Sequence, residues 1–284
     1  MSAGASAEPL LRLRPLSLGE ILDDVFRIYR RHFWLLVAIT LVVALPAYLV
    51  QLAAGQADQM GLALTVLGNL GNPESISDLQ SPAPPNAGLL GVTYVVMILL
   101  APFTYAAIPR AAIDVVHGVP ASVRSALVGV GRRYWGVMGL LLLYLVLLPL
   151  LICLPVGVWL FVRWIVAIPV LLAEGVGPIQ ALDRSWVLTR DNWWRLFGIL
   201  LLIWLLTSVV SGALTAFAFP VAIVIPFIPP VLRGAIVLTM ITAAGAVVQP
   251  ALYLCLTLLY FDLRIRREDF DLDQLARQAV GPAT

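Results

Sequence analysis

Six apolar runs dominate the chain, at 33–54, 88–108, 135–153, 156–173, 194–213 and 235–260. Each is long enough to cross about 30 Å of hydrocarbon as a helix, which takes roughly 20 residues. Backbone in lipid must satisfy its own hydrogen bonds, so such runs fold as helices. The third and fourth runs form one block too long for a single span, and Leu154-Pro155 interrupts it as the break of a hairpin. Composition agrees, with 61% hydrophobic residues, 12% charged and a mean hydropathy of +0.96, against about a half and a quarter in soluble domains. The expected fold is all-α: one polytopic membrane domain over 1–284, with an N-terminal segment 1–32, a six-span core 33–261 and a tail 262–284.

Charge orients these spans. All 18 basic residues are Arg. They cluster before run one (Arg27, Arg30, Arg31), between runs two and three (Arg110, Arg124, Arg132, Arg133), between four and five (Arg184, Arg190, Arg195) and after run six (Arg264, Arg266, Arg267). Short Arg-rich loops stay cytoplasmic, so both termini are expected inside. Segment 1–32 contains Glu20, Asp23 and Asp24 and does not read as a signal peptide. The absence of Lys fits GC-rich coding and points to a bacterial cytoplasmic membrane. Topology accounts for the net charge of +2, which gives no reason to expect nucleic acid.

Between the runs lie amphipathic stretches. GVGPIQALDRSWVLTRDNWW (175–194) places Pro178 in a first helical turn, with Ile179, Leu182 and Trp186 on one face. Trp193 and Trp194 mark the headgroup level, which suits an indole with one polar edge. HGVPASVRSALVGVGRRYW (117–135) and SLGEILDDVFRIYRRHFW (17–34) have the same build. In the latter, Ser17 and Glu20 form a capping box, and Leu18, Ile21, Leu22, Val25, Ile28 and Tyr29 share a face. About three interfacial helices are therefore expected on the cytoplasmic side, each leading into a transmembrane hairpin. That makes three parallel repeats.

PLSLGEILDDVFRIYRRHFW, AEGVGPIQALDRSWVLTRDNWWRLFG and YFDLRIRREDFDLDQLA resemble the membrane domain of bacterial glycerophosphoryl diester phosphodiesterases, from about Pro15 to Ala276. The resemblance implies a stand-alone integral membrane protein. It does not imply the hydrolase, whose (β/α) barrel needs roughly 200 residues that six spans leave no room for.

No HExxH, Walker loop, GxSxG or CxxC is present, and no cofactor is expected. His32 and His117 read as solvated interfacial side chains, and Cys153 and Cys255 as small hydrophobes. Glu268, Asp269, Asp271 and Asp273 read, with Arg264 and Arg266 and following Asp262, as a self-pairing tail. The external connection 55–87 reads as a spacer, with Met60–Leu70 a short helix on the outer leaflet or a partial re-entrant. The apolar segment 219–232, broken by four prolines, is expected at the outer interface. Prolines within the spans free carbonyls that neighbours must satisfy.

Arg163 is the one arginine well inside a run, about 12 Å from its outer boundary at 1.5 Å per residue. A charge at depth faces protein or water with a partner. Gln249, Tyr144 and carbonyls freed by the prolines are the expected partners, an anionic lipid or substrate group the alternative. Glu174 is too far along the axis to pair.

Three functions are compatible with these features. The first is a non-catalytic module that organises anionic lipid, a protein partner or a second copy of itself through arginine-rich surface helices. Next comes a small transporter for an anionic or amphiphilic solute, which lacks an ion-coupling carboxylate near the midplane. Last is a membrane hydrolase, which lacks a nucleophile or metal set.

Overall fold

A computed structural model describes residues 17–69, 87–147, 154–217, 220 and 228–280. Among these there are helices and no strand: α1 (Leu18–Arg31), α2 (Phe33–Ala53), α3 (Gln56–Gly68), α4 (Ala87–Val116), α5 (Val123–Arg132), α6 (Tyr134–Leu147), α7 (Leu154–Trp164), α8 (Ala167–Glu174), α9 (Pro178–Thr189), α10 (Trp193–Ala216) and α11 (Pro230–Val280). Five stretches are long and apolar enough to cross a membrane, and a sixth if α5 and α6 are taken together through their 72° bend. The protein is an all-α, multi-span membrane protein. The expected hairpin break at Leu154-Pro155 is the first turn of α7, where proline's missing N–H costs nothing. The end of run three and most of 219–232 lie outside the described residues.

Exposed apolar side chains locate the lipid-facing belt. On α4 they run from Leu89 to Tyr105, on α7 they end at Phe161, and on α10 they run from Trp194 to Phe217. Beyond these points the helices continue into a packed inner layer. Ala106, Ala107, Ile108, Ala111, Ala112 and Ile113 of α4 are buried with Val170 and Leu171 of α8, Leu254, Leu258 and Leu259 of α11, and Ile21, Val25 and Ile28 of α1. The second spans of units one and three are thus longer than the bilayer needs. Run two extends from the expected residue 108 to Val116, and α11 continues through the expected tail.

The expected threefold repeat is visible in local geometry. Each of α1, α5 and α9 starts with a backbone N–H at Ser17, Ser122 or Gly177 donating to the side chain three residues on, at 2.8, 3.0 and 3.2 Å. Each is followed by a kink residue of nearly one conformation, His32 (φ −115, ψ 23), Arg133 (φ −113, ψ 14) and Asn192 (φ −119, ψ 20). Next comes an aromatic pair at the start of a span, Phe33-Trp34, Tyr134-Trp135 and Trp193-Trp194, each packed edge to face.

The second spans align on the acidic residues Asp114, Glu174 and Asp262. Pro109 and Pro169 stand five residues before the first two, each within Ala-Ile-Pro, and Pro102 and Pro250 stand twelve before Asp114 and Asp262. Fifteen residues before the three acids lie Leu99, Trp159 and Val247. Each of their carbonyls accepts a hydrogen bond from an aromatic side chain of another unit: Tyr134 Oη to Leu99 at 3.0 Å, Trp193 Nε1 to Trp159 at 3.2 Å and Tyr29 Oη to Val247 at 2.6 Å. Unit two thus bonds unit one, three bonds two, and one bonds three, which closes a ring.

Two expectations are corrected. The buried face of α9 is Ala181, Ser185, Leu188 and Thr189. Ile179 is 68% exposed and Leu182 and Trp186 are only partly buried, because small and hydroxyl side chains let α9 approach the neighbouring α7 and α8 and bond their backbone. The connection after α2 is more than a spacer. α3 lies against the start of α11 so closely that a Cβ at Gly61 or Gly234 would collide with the backbone of Pro230 or Ala57. Small residues permit such backbone contact in membrane helices.

Candidate functional site

Most of the arginines at the ring's charged end are committed to internal partners. The Asp262 side chain, 0% exposed, accepts Arg195 at 2.7 Å and Arg266 at 3.0 Å. Glu174 accepts Arg184 at 3.2 Å and the Tyr260 hydroxyl at 3.1 Å. Glu268 accepts Arg184 at 3.2 Å and Arg264 at 2.8 Å. Arg267 reaches Asp191, Arg27 reaches Asp24, and Arg110 reaches Asp114, all at 2.6 Å. Arg133 donates to the Gly175 carbonyl, and Arg30 lies over the Phe26 ring at 5.6 Å. The expected self-pairing of the tail is present in Arg264 with Glu268 and Arg266 with Asp262, and the same carboxylates also anchor α9 and α10 to α11, as far as Glu268. Asp269, Asp271 and Asp273 lie beyond the described side chains.

Besides Arg124 in the first turn of α5, three arginines remain exposed with no ion pair, carbonyl or ring partner among the described residues: Arg31, Arg132 and Arg190. They stand three, three and four residues before Trp34, Trp135 and Trp194. Those tryptophans are 80%, 81% and 79% exposed, the most exposed large apolar side chains described. Each unit therefore presents an arginine and a tryptophan at the corner between surface helix and span. In unit one this corner is an open cleft of about 430 Å³ lined by Arg30, Arg31, His32, Phe33, Trp34 and Leu35. Burial, and then the Arg31 charge, pull the His32 pKa below its ordinary 6.5. His117, the other histidine, holds the Ile113 carbonyl at 2.8 Å and meets the Phe261 ring edge.

The neighbours of Arg163 are not those the sequence suggests. It lies one turn past Trp159, whose carbonyl accepts from Trp193, within the apolar stretch Val156–Glu174. Its guanidinium stands 5.2 Å from the centroids of both Trp159 and Trp186. The two expected side-chain partners are elsewhere. Tyr144 donates to the Trp164 carbonyl at 2.7 Å. Gln249 lines a crevice of about 50 Å³ with Thr40, Phe103, Thr104 and Tyr253, between α2, α4 and α11. Ser185 and Thr189 bond the Arg163 carbonyl at 2.8 and 3.2 Å, which the break between α7 and α8 leaves without a helical partner.

The sequence reading missed these hydroxyls and the second wall of the cage, Trp186, since each lies over 20 positions from Arg163. The shared Ala-Ile-Pro was the available signal, because aligning on it places Arg163 beside its equivalents. Among the described residues no group of three His, Cys, Asp or Glu side chains gathers as a metal site. No protein family, curated protein or solved structure matches the chain.

Proposed function

We propose that the protein is a non-catalytic membrane module that gathers anionic lipid headgroups around its charged end. The observation that carries this reading is the threefold corner: an exposed arginine without an ion partner one turn before a tryptophan about 80% exposed. Indole anchors at the headgroup boundary, and an arginine beside it meets phosphate with two parallel hydrogen bonds. Arg31, Arg132 and Arg190 are the headgroup contacts, and the carboxylate-bound arginines are the frame. The frame faces the cytoplasm of a bacterial cell, in keeping with positive-inside orientation and with the resemblance to phosphodiesterase-associated membrane domains. A protein partner or a second copy would dock on the same face.

The test is lipid retention. Protein extracted in mild detergent should carry phosphatidylglycerol or cardiolipin above its share of the host membrane. The triple variant Arg31→Gln, Arg132→Gln, Arg190→Gln should fold and lose that enrichment. Equal enrichment in both proteins would remove the reading.

A further inference from the structure

We propose that Arg163 is the anchor of a single, specific oxyanion site in unit two, where it takes a phosphate group, from a lipid headgroup or free. The inference rests on the lipid-facing reading of the charged end and names one residue and one position within it.

The first support is an unsatisfied donor set. Nε and Nη1 of Arg163 are buried and have no hydrogen-bond partner. Buried donors on a charged group are costly to leave unmade, and each asks for an explanation. The cage explains the position but not the donors, for the ring faces of Trp159 and Trp186 attract the cation without accepting its N–H groups. A phosphate can take either of these donors together with the neighbouring Nη2, because the guanidinium presents Nε with Nη2 and Nη1 with Nη2 as its two parallel pairs.

The second support is the internal repeat, which acts as a control within one chain. Arg163 stands eleven residues before Glu174, and the equivalent positions before Asp114 and Asp262 hold Phe103 and Ala251. The ring closes at those two positions without a charge, so the arginine is not a requirement of the fold. Unit two also departs in its backbone. α4 and α11 run unbroken through the equivalent of the 165–166 break. That break hands the Arg163 carbonyl to Ser185 and Thr189. The residue is thus held by its main chain from α9 and by its side chain from two tryptophans. Such preorganisation lowers the cost of binding.

The third support is depth. Trp193 and Trp194 open a span beside Trp159, and tryptophans at span ends lie at the headgroup boundary. Arg163 lies one turn further toward the charged end, within reach of that boundary for a side chain of its length.

The experiment uses the full chain, purified in an uncharged detergent and stripped of lipid. Tryptophan emission and thermal midpoint are followed while phosphatidylglycerol, phosphatidylcholine or inorganic phosphate is added. A saturable change is expected with phosphatidylglycerol and none with phosphatidylcholine. A response to inorganic phosphate as well identifies an open oxyanion site, and its absence identifies a headgroup site. Arg163→Gln should weaken binding about tenfold or more, the loss of a charge-assisted pair. Arg163→Phe, which copies unit one, should do the same. The triple corner variant should keep this response even where it loses bulk lipid enrichment, which separates the two readings. Trp186→Phe, which keeps Arg163, should reduce the emission change. The proposal is overturned by a wild type that responds to neither anion. It is equally overturned by folded Arg163 variants with unchanged affinity, or, where those variants aggregate, by an undiminished response in Trp186→Phe.

Discussion

Tyr29 and Tyr134 tie one unit to the next beside the proline kinks. Leu99 and Val247 each lie three residues before an in-helix proline, Pro102 and Pro250, next to the carbonyl that proline leaves without its helical donor. A tyrosine hydroxyl from another unit takes the carbonyl of Leu99 and that of Val247. Tyr134→Phe and Tyr29→Phe should each cost about 0.6 kcal/mol, the usual worth of a hydrogen bond between membrane helices, read as a small fall in thermal midpoint. Asp262→Ala should cost far more, about 3–5 kcal/mol, because it strands Arg195 and Arg266 around a buried site. A charge-reversal rescue would fail for the same reason. His32 tests the corner electrostatics. Its midpoint, followed by NMR, should lie below 6.5 and rise in Arg31→Gln, which removes only the second of the two causes. A midpoint indifferent to Arg31 would leave burial as the whole effect.

At the scale of elements, helix starts and lipid-facing runs were legible from the sequence because both are local. The Ser17–Glu20 box closes within three residues, and the apolar runs are set by hydrocarbon thickness alone. What one helix does to another was not legible. The α9 face was misassigned because periodicity favours large apolar residues, while close packing there selects Ala181 and Ser185. Arg163 is expected beside Tyr144 and Gln249 from depth alone, which says nothing of the faces that separate helices turn to each other, and those faces bring Trp186 to it. The role of α3 was hidden for a related reason, since Gly61 and Gly234 carry no pattern until their helices cross. Gly61→Leu and Gly234→Leu should each push α3 off α11 and lower the thermal midpoint of the detergent-solubilised protein by several degrees, while Gly198→Leu, with open space at its Cβ, should be near neutral. Equal effects at all three positions would sink the packing account.

At the scale of the whole molecule, ring closure fixes direction. Each unit's aromatic donor meets a carbonyl fifteen residues before another unit's acid. That single level around the ring can be kept only when all three units run the same way through the membrane. Inverted repeats would place one donor at the opposite face, some 30 Å away. The starts of the three surface helices must therefore lie on one side. In a chain with Cys153 and Cys255 replaced by Ala, single cysteines at the exposed positions Leu18, Val119 and Ile179 should share one labelling behaviour. They should resist a membrane-impermeant maleimide in intact cells and react after lysis. A cysteine at Asn72, in the connection between the first two spans, should react in intact cells. Reversal of all four reports would turn the molecule over and leave the ring intact. Discord among the three surface positions would break the repeat, and with it the comparison of Arg163 with Phe103 and Ala251.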